Sequence, residues 1–289
     1  MVRRKKLDDV HFAKKYYKEK TGKSLDLDNP RTFDEKLWYL KLNYRNPLET
    51  ICSDKYRIRE YVEKCEIGFI LNELYGVYDR AEDIDFDTIP SPCFIKTNHG
   101  CGTNVIFDRE RPFDKTRFVR KFNKSLESNY YDESREWNYK NIKPKIIVEK
   151  VLRDENGSLP NDYKFFCFAG VPKLMIFDTN LCLESGEHNP DGERRVYDAD
   201  GVFLPDVRIS RNQHNKELDI SKECFNTMKK YAAILSKPFP YVRVDFYCID
   251  SKIYLGEMTF YHMGGCNNIE PHEFDLQLGS WISISNVNE

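Results

Sequence analysis

Two acidic residues near the C-terminal end of the chain, Asp245 and Glu257, could bind a divalent cation. They lie in residues 241–248 and 252–259, whose apolar pattern predicts a β-hairpin. Because side chains alternate along a strand, pairing Asp245 with Glu257 places both carboxylates on one face. Facing carboxylates repel each other unless a cation lies between them. Oxygen ligands of this kind suit Mg²⁺.

The same register centres the turn on Ser251 and places Arg243 opposite Thr259 on the carboxylate face. The opposite face would carry the core residues Val242, Val244, Met258 and Phe260. A solvated face with an Arg243–Asp245–Glu257 ion-pair cluster explains the pattern without a metal. The charge pattern alone slightly favours this second interpretation.

A lysine beside a glycine loop is the second feature that could carry chemistry. Lys96 lies in an apolar strand, and the loop after it contains Gly100 and Gly102. Glycines let backbone N–H groups approach phosphate oxygens, and a lysine adds a positive charge. The spacing matches neither the P-loop nor the dinucleotide-binding fingerprint, so a plain turn stays open. His99, in the same loop, could act as acid or base, or only form hydrogen bonds.

Two further strands carry charged residues among apolar ones. Residues 145–152 contain Glu149, and the end of this strand could pair its backbone with an adenine edge. A plain core strand is the alternative. Residues 162–168 contain Asp162 and Lys164, and Lys164 shares a face with apolar residues. Its ammonium group is therefore partly desolvated unless it meets an anion or reaches solvent.

The elements that must position these residues are strands joined by hairpins, with helices kept separate. The predicted strands are residues 93–97, 105–107, 145–152, 162–168, 173–177, 241–248 and 252–259. Thr32 and Glu35 form a capping-box sequence that starts an early helix, and further helices are predicted at residues 114–128, 217–236 and 273–278. Residues 181–213 are predicted as loops with one short hairpin. This order indicates an α+β chain with antiparallel sheets.

The composition is that of an ordinary folded domain, with 40% hydrophobic and 32% charged residues. A formal net charge of -2, from 45 basic and 47 acidic residues, argues against a nucleic-acid binder. No apolar run is long enough to span a bilayer, and the basic residues 1–6 are expected to form a solvated tail. Nine cysteines without a paired spacing favour a reducing cytoplasm.

Taken in chain order, these features resemble the ATP-grasp superfamily and, more closely, its TupA-like branch, named for teichuronopeptide biosynthesis. The resemblance is carried by residues 29–37, 54–56, 95–100, 162–168, 242–245 and 256–261. It implies two lobes with antiparallel sheets that clasp a nucleotide. Residues 1–92 would form a helical region and connector, residues 93–150 the small lobe with the glycine loop, and residues 151–289 the large lobe with the metal-binding hairpin.

The resemblance also implies ATP and Mg²⁺ as cofactors. The residues that it assigns to the nucleotide are Lys96, Gly100, Gly102, Glu149, Lys150, Val151, Leu152, Asp162 and Lys164. Within this set, Lys96 and Lys164 would contact phosphates, and Glu149 with the backbone of residues 150–152 would hold adenine. The ribose would be held by Asp154 or Glu155.

For the reacting end of the nucleotide, the resemblance implies Asp245, Glu257 and Thr259 as metal ligands. Arg243, with Lys164 and His99, would act in catalysis. Thr259 stands where the superfamily usually has Asn, so the resemblance supports one magnesium ion more than two. Residues 262–265 replace an expected proline-containing turn, which implies a different acceptor.

The resemblance implies a ligase that activates a carboxylate as an acyl-phosphate and joins it to an amine. The branch is associated with bacterial surface polysaccharides, so a uronic acid is the expected acceptor, with loose association with a polysaccharide-assembly complex. A sugar kinase on the same fold is one alternative. A glycosyltransferase, or a non-catalytic subunit of such a complex, is another.

Overall fold

The structure is a computed structural model that describes residues 8–284, so the basic segment 1–6 lies outside the described residues. The helices are α1 Asp9–Thr21, α2 Phe33–Asn43, α3 Pro47–Ser53, α4 Ile58–Lys64, α5 Lys115–Leu126, α6 Tyr130–Ser134, α7 Lys222–Ser236 and α8 His272–Ser280. The strands are β1 Leu74–Tyr78, β2 Cys93–Thr97, β3 Asn104–Phe107, β4 Ile146–Lys150, β5 Asp162–Phe168, β6 Val171–Thr179, β7 Glu193–Asp198, β8 Arg208–Ile209, β9 Tyr241–Ile249, β10 Lys252–Thr259 and β11 Ile269–Glu270. Short 3-10 turns lie at Gly68–Ile70, Ala81–Asp83, Trp137–Tyr139 and His262–Gly265.

The larger sheet has five antiparallel strands in the order β10-β9-β5-β6-β7. Along its longest strands, every second residue points to the same face, and the bulky apolar side chains of one face are buried against α7. Phe165 on β5 and Val244 on β9 are buried with Met228 and Leu235 of that helix. The other face carries the charged residues of the site.

The last hairpin has the predicted register at its functional end. Glu257 pairs with Asp245 and Thr259 with Arg243. The predicted core residues Val242, Val244, Met258 and Phe260 are all buried, which confirms the assignment of the two faces.

The prediction was wrong at the tip of this hairpin, where the turn is not centred on Ser251. Asp250 and Ser251 both have positive φ and form a two-residue turn, which matches the twist of paired strands. The register shifts between Leu255 and Glu257, so Gly256 is the extra residue of a β-bulge. The bulge restores the pairing of the two carboxylates.

The smaller sheet has four antiparallel strands in the order β1-β4-β2-β3. Its apolar core contains Phe86, Phe107, Phe118 and Phe122, so α5 covers one face of the sheet. Strand β1 comes from the segment before residue 93, which the sequence grouped with the helical region. The domain boundaries themselves stay a prediction.

The N-terminal helices pack against the larger sheet and α8. The side chain of Thr32 accepts from the backbone N–H of Glu35, and the side chain of Glu35 accepts from the backbone N–H of Thr32. This confirms the predicted capping box at the start of α2. Phe33 is fully buried against Phe166 and Tyr241 of the sheet. Helix α2 is thereby fixed beside the charged face.

The segment 181–213 differs from its prediction as loops with one short hairpin. It contributes β7, which pairs with β6 and forms the fifth strand of the larger sheet. The alternating burial of Arg194 and Val196 supports a strand, but three charged residues and flanking Asp and Gly concealed it in the sequence.

The described part of the chain has no helix that is long and apolar enough to cross a membrane. Each of the nine cysteines is a free thiol. This agrees with the absence of a paired cysteine spacing in the sequence.

Candidate active site

A row of charged side chains crosses the larger sheet, one from each strand. Glu257 on β10 pairs with Asp245 on β9, which pairs with Lys164 on β5. Asp178 on β6 pairs with Arg194 on β7. The Nζ atom of Lys164 lies 3.7 Å from Asp245 and 3.6 Å from Asp178, which joins the two halves of the row.

Arg243 bridges the two facing carboxylates. Its Nε atom donates to Asp245 Oδ1 at 2.7 Å, and its Nη2 atom donates to Asp245 Oδ2 at 2.5 Å. The same Nη2 atom donates to Glu257 Oε1 at 2.9 Å and to Thr259 Oγ1 at 3.0 Å. The Thr259 hydroxyl donates in turn to Glu257 at 3.0 Å. The four side chains that the sequence placed on one face are therefore in direct contact.

The two carboxylates differ in their protonation behaviour. Burial raises the pKa of Asp245 to about 6, although Arg243 and Lys164 oppose this change. Burial would also raise the pKa of Glu257, but Arg243, Lys55 and Lys164 lower it to about 2. The Glu257 side chain is 40% exposed, whereas that of Asp245 is 4% exposed. Glu257 is therefore the ionised group that faces the opening.

Lys164 is the central cation of the row and is buried. Its ammonium group lies 2.6 Å from Asp162 Oδ1. Burial opposes its charge, but Asp162, Asp245 and Asp178 raise the pKa of Lys164 above its usual value. Lys164 thus stays protonated and can attract a phosphate oxygen.

His262 lies between two guanidinium groups behind the row. Its Nδ1 atom accepts from Arg243 Nη1 at 2.5 Å, and its Nε2 atom lies 3.4 Å from Arg194 Nη1. Burial and the charges of Arg243 and Arg194 hold the pKa of His262 well below its usual value. A neutral imidazole therefore orients Arg243 from the side opposite the carboxylates.

A cleft between the two sheets adjoins this row. Lys96 on β2 and Glu149 on β4 form an ion pair of 2.7 Å in its wall. The lining also includes Asn72, Leu152, Asp162, Cys182 and Tyr247. The cleft combines apolar walls with a few charged groups, as nucleotide sites do.

The end of β4 forms one wall of the cleft. The backbone N–H of Lys150 donates to Glu73 O at 3.0 Å, and Asn72 Nδ2 donates to Lys150 O at 2.9 Å. These bonds occupy the backbone of Lys150. Adenine contacts would therefore come from the backbone of Val151 and Leu152.

The structure does not bring His99 to the reacting groups. His99 is buried, and its Nε2 atom donates to Ser125 O at 2.9 Å, while Nδ1 lies 3.3 Å from Asn98 Oδ1. Burial lowers the pKa of His99. This arrangement fits the hydrogen-bonding role that the sequence left open, rather than an acid or base.

The glycine loop lies beside the cleft and contacts a further lysine. Gly102 has φ +82°, which explains the glycine there, whereas a side chain at Gly100 would only touch Tyr130 at ordinary distance. Lys55 donates to the carbonyl of Gly100 and lines the same cleft as Lys96. The loop is therefore attached to the connection between α3 and α4.

Asp245 and Glu257 are the groups that could hold a magnesium ion. They offer hard oxygen donors that face each other and already share a cation, Arg243. Within residues 8–284 no group of three or more His, Cys, Asp or Glu side chains is arranged to hold a metal. The donor set fits Mg²⁺ completed by phosphate oxygens, since this ion commonly takes only one or two carboxylates.

Several residues of the site were missed from the sequence. Asp178 lies one residue beyond the predicted strand 173–177, and Arg194 lies on β7, in the segment that the sequence predicts as loops with one short hairpin. Asp178 pairs with Asp162 only because the β5–β6 register shifts by one residue between Phe166 and Cys167, which strand parity does not predict. Lys55 belongs to the motif at residues 54–56, but the sequence gives it no role, because it reaches the cleft only through tertiary packing.

One face of α2 holds the loop that carries His262. Asp34 accepts from Asn267 N at 2.7 Å and Asn267 Nδ2 at 2.6 Å. Trp38 Nε1 donates to Gly265 O at 2.9 Å, and Lys41 Nζ donates to Gly264 O at 2.6 Å. The spacing of these helix residues puts them on one face.

The two antiparallel sheets and the charged cleft between them define an ATP-grasp fold. The chain belongs to the TupA-like ATP-grasp family, whose model matches residues 35–283. No curated relative matches the chain.

Solved structures with a similar fold include D-alanine–D-alanine ligase from Bacillus anthracis, with 16% identity over 73% of this chain and 57% of that one and a TM-score of 0.40. L-amino acid ligase from Bacillus licheniformis has 13% identity over 81% of this chain and 51% of that one, with a TM-score of 0.46. D-alanine–D-alanine ligase from Helicobacter pylori has 12% identity over 89% of this chain and 69% of that one, with a TM-score of 0.44. The chain thus spans 57% and 51% of the length of the two Bacillus enzymes.

Proposed function

We propose that this protein is an ATP- and Mg²⁺-dependent ligase that activates a carboxylate as an acyl-phosphate and joins it to an amine. The observation that carries the proposal is the contact of Arg243 with both Asp245 and Glu257, in a row that continues through Lys164. Family membership supports ATP as the nucleotide. The acceptor that we propose is a uronic acid of a bacterial surface polysaccharide or its precursor.

The cleft residues bind and orient the nucleotide in this proposal. Val151 and Leu152, which line the cleft beside Glu149, would hold the adenine. Lys96 and Lys164 provide positive charge for the phosphates, since an ammonium group acts on phosphate as a point charge. Residues that fix the phosphates in line with an acceptor supply most of the catalysis in phosphoryl transfer.

Asp245 and Glu257 would hold Mg²⁺ in this proposal. When bound, the ion would neutralise charge on the transferred phosphoryl group. Thr259 has its hydroxyl committed to Glu257, so we assign it a supporting contact and not a metal bond.

Arg243 would stabilise the negative charge that develops at the reacting carboxylate. Its guanidinium group is buried, and fixed donors act more strongly where water is excluded. In the first step an acceptor carboxylate oxygen bonds to the γ-phosphorus and ADP leaves. In the second step an amine bonds to the carbonyl carbon, phosphate leaves and the amine loses a proton. His262 keeps Arg243 in place through its Nδ1 atom.

The test is release of ADP and phosphate that requires ATP, Mg²⁺, a uronic acid and an amine together. Mass spectrometry of the product should show an amide. Turnover with the sugar alone, and a phosphate retained on it, would instead establish a sugar kinase. Thermal stabilisation by a nucleotide sugar but not by MgATP would indicate a glycosyltransferase.

A further inference from the structure

A small basic niche adjoins the nucleotide cleft beside helix α4. It shares Lys96, Glu149 and Tyr247 with the cleft and adds Lys55 and Arg59. Among the described residues that line it, Glu149 is the one carboxylate, and Glu149 is already paired with Lys96 at 2.7 Å. Lys55 and Arg59 therefore bring positive charge that no carboxylate of the niche balances, which favours an anionic ligand.

Lys55 is a half-buried cation that is held by a neutral group. Its Nζ atom donates to the carbonyl oxygen of Gly100, in the glycine loop. Within residues 8–284 no carboxylate lies within ion-pair distance of this ammonium group. Burial lowers the pKa of Lys55, and the charge of Glu257 opposes this change. A charged phosphate oxygen would be a stronger acceptor than the carbonyl oxygen, and it would favour the protonated lysine.

A buried asparagine fixes the position of Lys55 relative to the glycine loop. Asn98 O accepts from the backbone N–H of Lys55 at 3.1 Å, and Asn98 Nδ2 donates to Asp54 Oδ1 at 2.8 Å. Asn98 Oδ1 also accepts from the backbone N–H of Lys145 at 2.7 Å, at the entrance to β4. The backbone of Lys55 is thus held in place before a ligand binds, which reduces the entropy that binding costs.

The two unbalanced cations of the niche serve different ends of the cleft. Arg59 Nη1 donates to Asn72 O at 2.9 Å, and Asn72 Nδ2 donates to the end of β4, so Arg59 lies on the side of the proposed adenine contacts. Lys55 contacts the glycine loop instead. The niche that it lines also reaches Gly256, the bulge residue next to Glu257. Lys55 is therefore the cation on the side of the proposed metal ligands.

We propose that Lys55 binds the phosphates of the nucleotide, as a third cation beside Lys96 and Lys164 that the N-terminal helical region contributes. This inference rests on the proposed function, because it places ATP in the cleft. An ammonium group has three N–H donors, so Lys55 can keep the carbonyl of Gly100 and bind a phosphate oxygen at the same time. The connection between α3 and α4 then forms a wall of the nucleotide site, and bound phosphate links it to the glycine loop.

The test measures binding of MgATP to the full chain by titration calorimetry at several salt concentrations. Lys55→Met should weaken binding about 10- to 100-fold, because a charge-assisted contact with phosphate is lost. It should also make the affinity less sensitive to salt, since one fewer charge is screened. Lys55→Arg should restore most of the affinity and the salt dependence. Lys64→Met, the same change at an exposed position of α4, is the control and should alter neither.

A second measurement uses the wild-type protein and does not depend on whether Lys55→Met folds. Saturating MgATP should protect Lys55 from acetylation by acetic anhydride, as read by mass spectrometry of peptides, while Lys64 stays equally reactive. Equal acetylation of Lys55 with and without MgATP would overturn the inference, as would wild-type affinity in Lys55→Met or a weaker affinity with the wild-type salt dependence. Lys55-dependent ATP binding without ligation would refute the ligase function and leave the role of Lys55 standing. Ligation with an ATP KM that Lys55→Met does not change would do the reverse.

Discussion

Arg243 contacts Asp245 and Glu257 through one nitrogen atom, Nη2, at 2.5 Å and 2.9 Å. The guanidinium group therefore occupies the position of a cation between two facing carboxylates. The ion-pair cluster and the metal site, which the sequence left as alternatives, use the same oxygens. In the proposed reaction, Mg²⁺ and Arg243 would share or exchange these oxygens. Substitutions at the carboxylates can separate the two interpretations.

Asp245→Asn should abolish the Mg²⁺-dependent stabilisation of the protein by ATP, because the amide removes a charged oxygen ligand. A ligand at 100 times its dissociation constant stabilises a protein by about 2.7 kcal/mol, which thermal melting detects easily. Asp250→Asn, at the exposed turn of the same hairpin, should keep the full MgATP shift. Unchanged stabilisation in Asp245→Asn would leave only the ion-pair cluster.

Lys96→Met should weaken ATP binding about 10-fold or more, since a charge-assisted contact with phosphate is lost. A fluorescent ATP analogue titrated into the protein would measure this. Lys124→Met, on the exposed side of α5, provides a control with the same change of side chain. If Lys96→Met lowers only the melting temperature and not the affinity, the pair with Glu149 is structural.

The sequence predicted the part of the site that depends on local alternation. Strand parity placed Asp245 opposite Glu257, and this pairing survives because a bulge at Gly256 compensates for the short turn. Strand parity could not predict the bulge. A turn centred on one residue, and a two-residue turn combined with a one-residue bulge, leave the same number of residues between the two carboxylates. The helix that starts after Thr32 was predicted for the same local reason, a reciprocal cap.

The rest of the site depends on contacts between distant parts of the chain. Asp34 and Asn267 are 233 positions apart, and neither has a neighbour that marks it as a partner. The sequence does not predict the position of Arg194. Its strand, β7, carries charged residues on both faces and lies at the edge of the sheet, where the alternation of apolar and polar residues is weak. His99 is the opposite case. Its loop suggests a chemical role, but the side chain is buried and its hydrogen bond to Ser125 O fits a structural role.

Glu49→Gln should remove part of the loss of stability that occurs as the pH rises from about 4.5 to about 8. Glu49 is buried, and burial raises its pKa to about 8 although the hydroxyl of Tyr261 donates to it at 3.2 Å. The folded protein holds this proton while the unfolded chain releases it near pH 4.5. The stability is therefore fully present below that pH and falls by roughly 1.4 kcal/mol per unit up to about pH 8.

Urea unfolding of Glu49→Gln between pH 5 and pH 9 would measure this effect, because the amide stays neutral throughout. The variant should have a flatter profile than wild type. Glu63→Gln, an exposed residue of α4, should keep the wild-type slope. A slope in Glu49→Gln equal to that of wild type would show that this carboxyl group is ionised in the folded protein.

Asp34→Ala should destabilise the protein by about 3 kcal/mol, because the buried backbone N–H of Asn267 loses its acceptor and its side-chain amide loses one of two. It should also lower kcat, since Asn267 Nδ2 donates to His262 O at 3.1 Å and His262 orients Arg243. Asp28→Ala, on an exposed turn before α2, should change neither quantity. A double-mutant cycle with Asn267→Ala should give a coupling of about 1–3 kcal/mol, and additive effects would contradict the contact.

Gly186→Ala should separate the segment before β7 from the smaller sheet. Ser185 O accepts from Ile106 N at 2.9 Å, and a Cβ atom at Gly186 would lie 2.6 Å from Ile106 N. Cys182 of the same segment lines the nucleotide cleft, so a displaced segment should weaken ATP binding as well as the fold.

The matched control for this substitution is Gly157→Ala. Gly157 has φ +78° and Gly186 has φ +85°, so alanine meets similar backbone strain at both, but only Gly157 has open space around its Cβ position. Gly157→Ala should cost about 1 kcal/mol from the left-handed backbone alone. Gly186→Ala should cost about 3 kcal/mol, because the backbone of β3 must also move. If the two variants lose equal amounts of stability and ATP affinity, the segment does not depend on its contact with the sheet edge. A larger loss of both in Gly186→Ala would identify that contact as a part of the proposed nucleotide site.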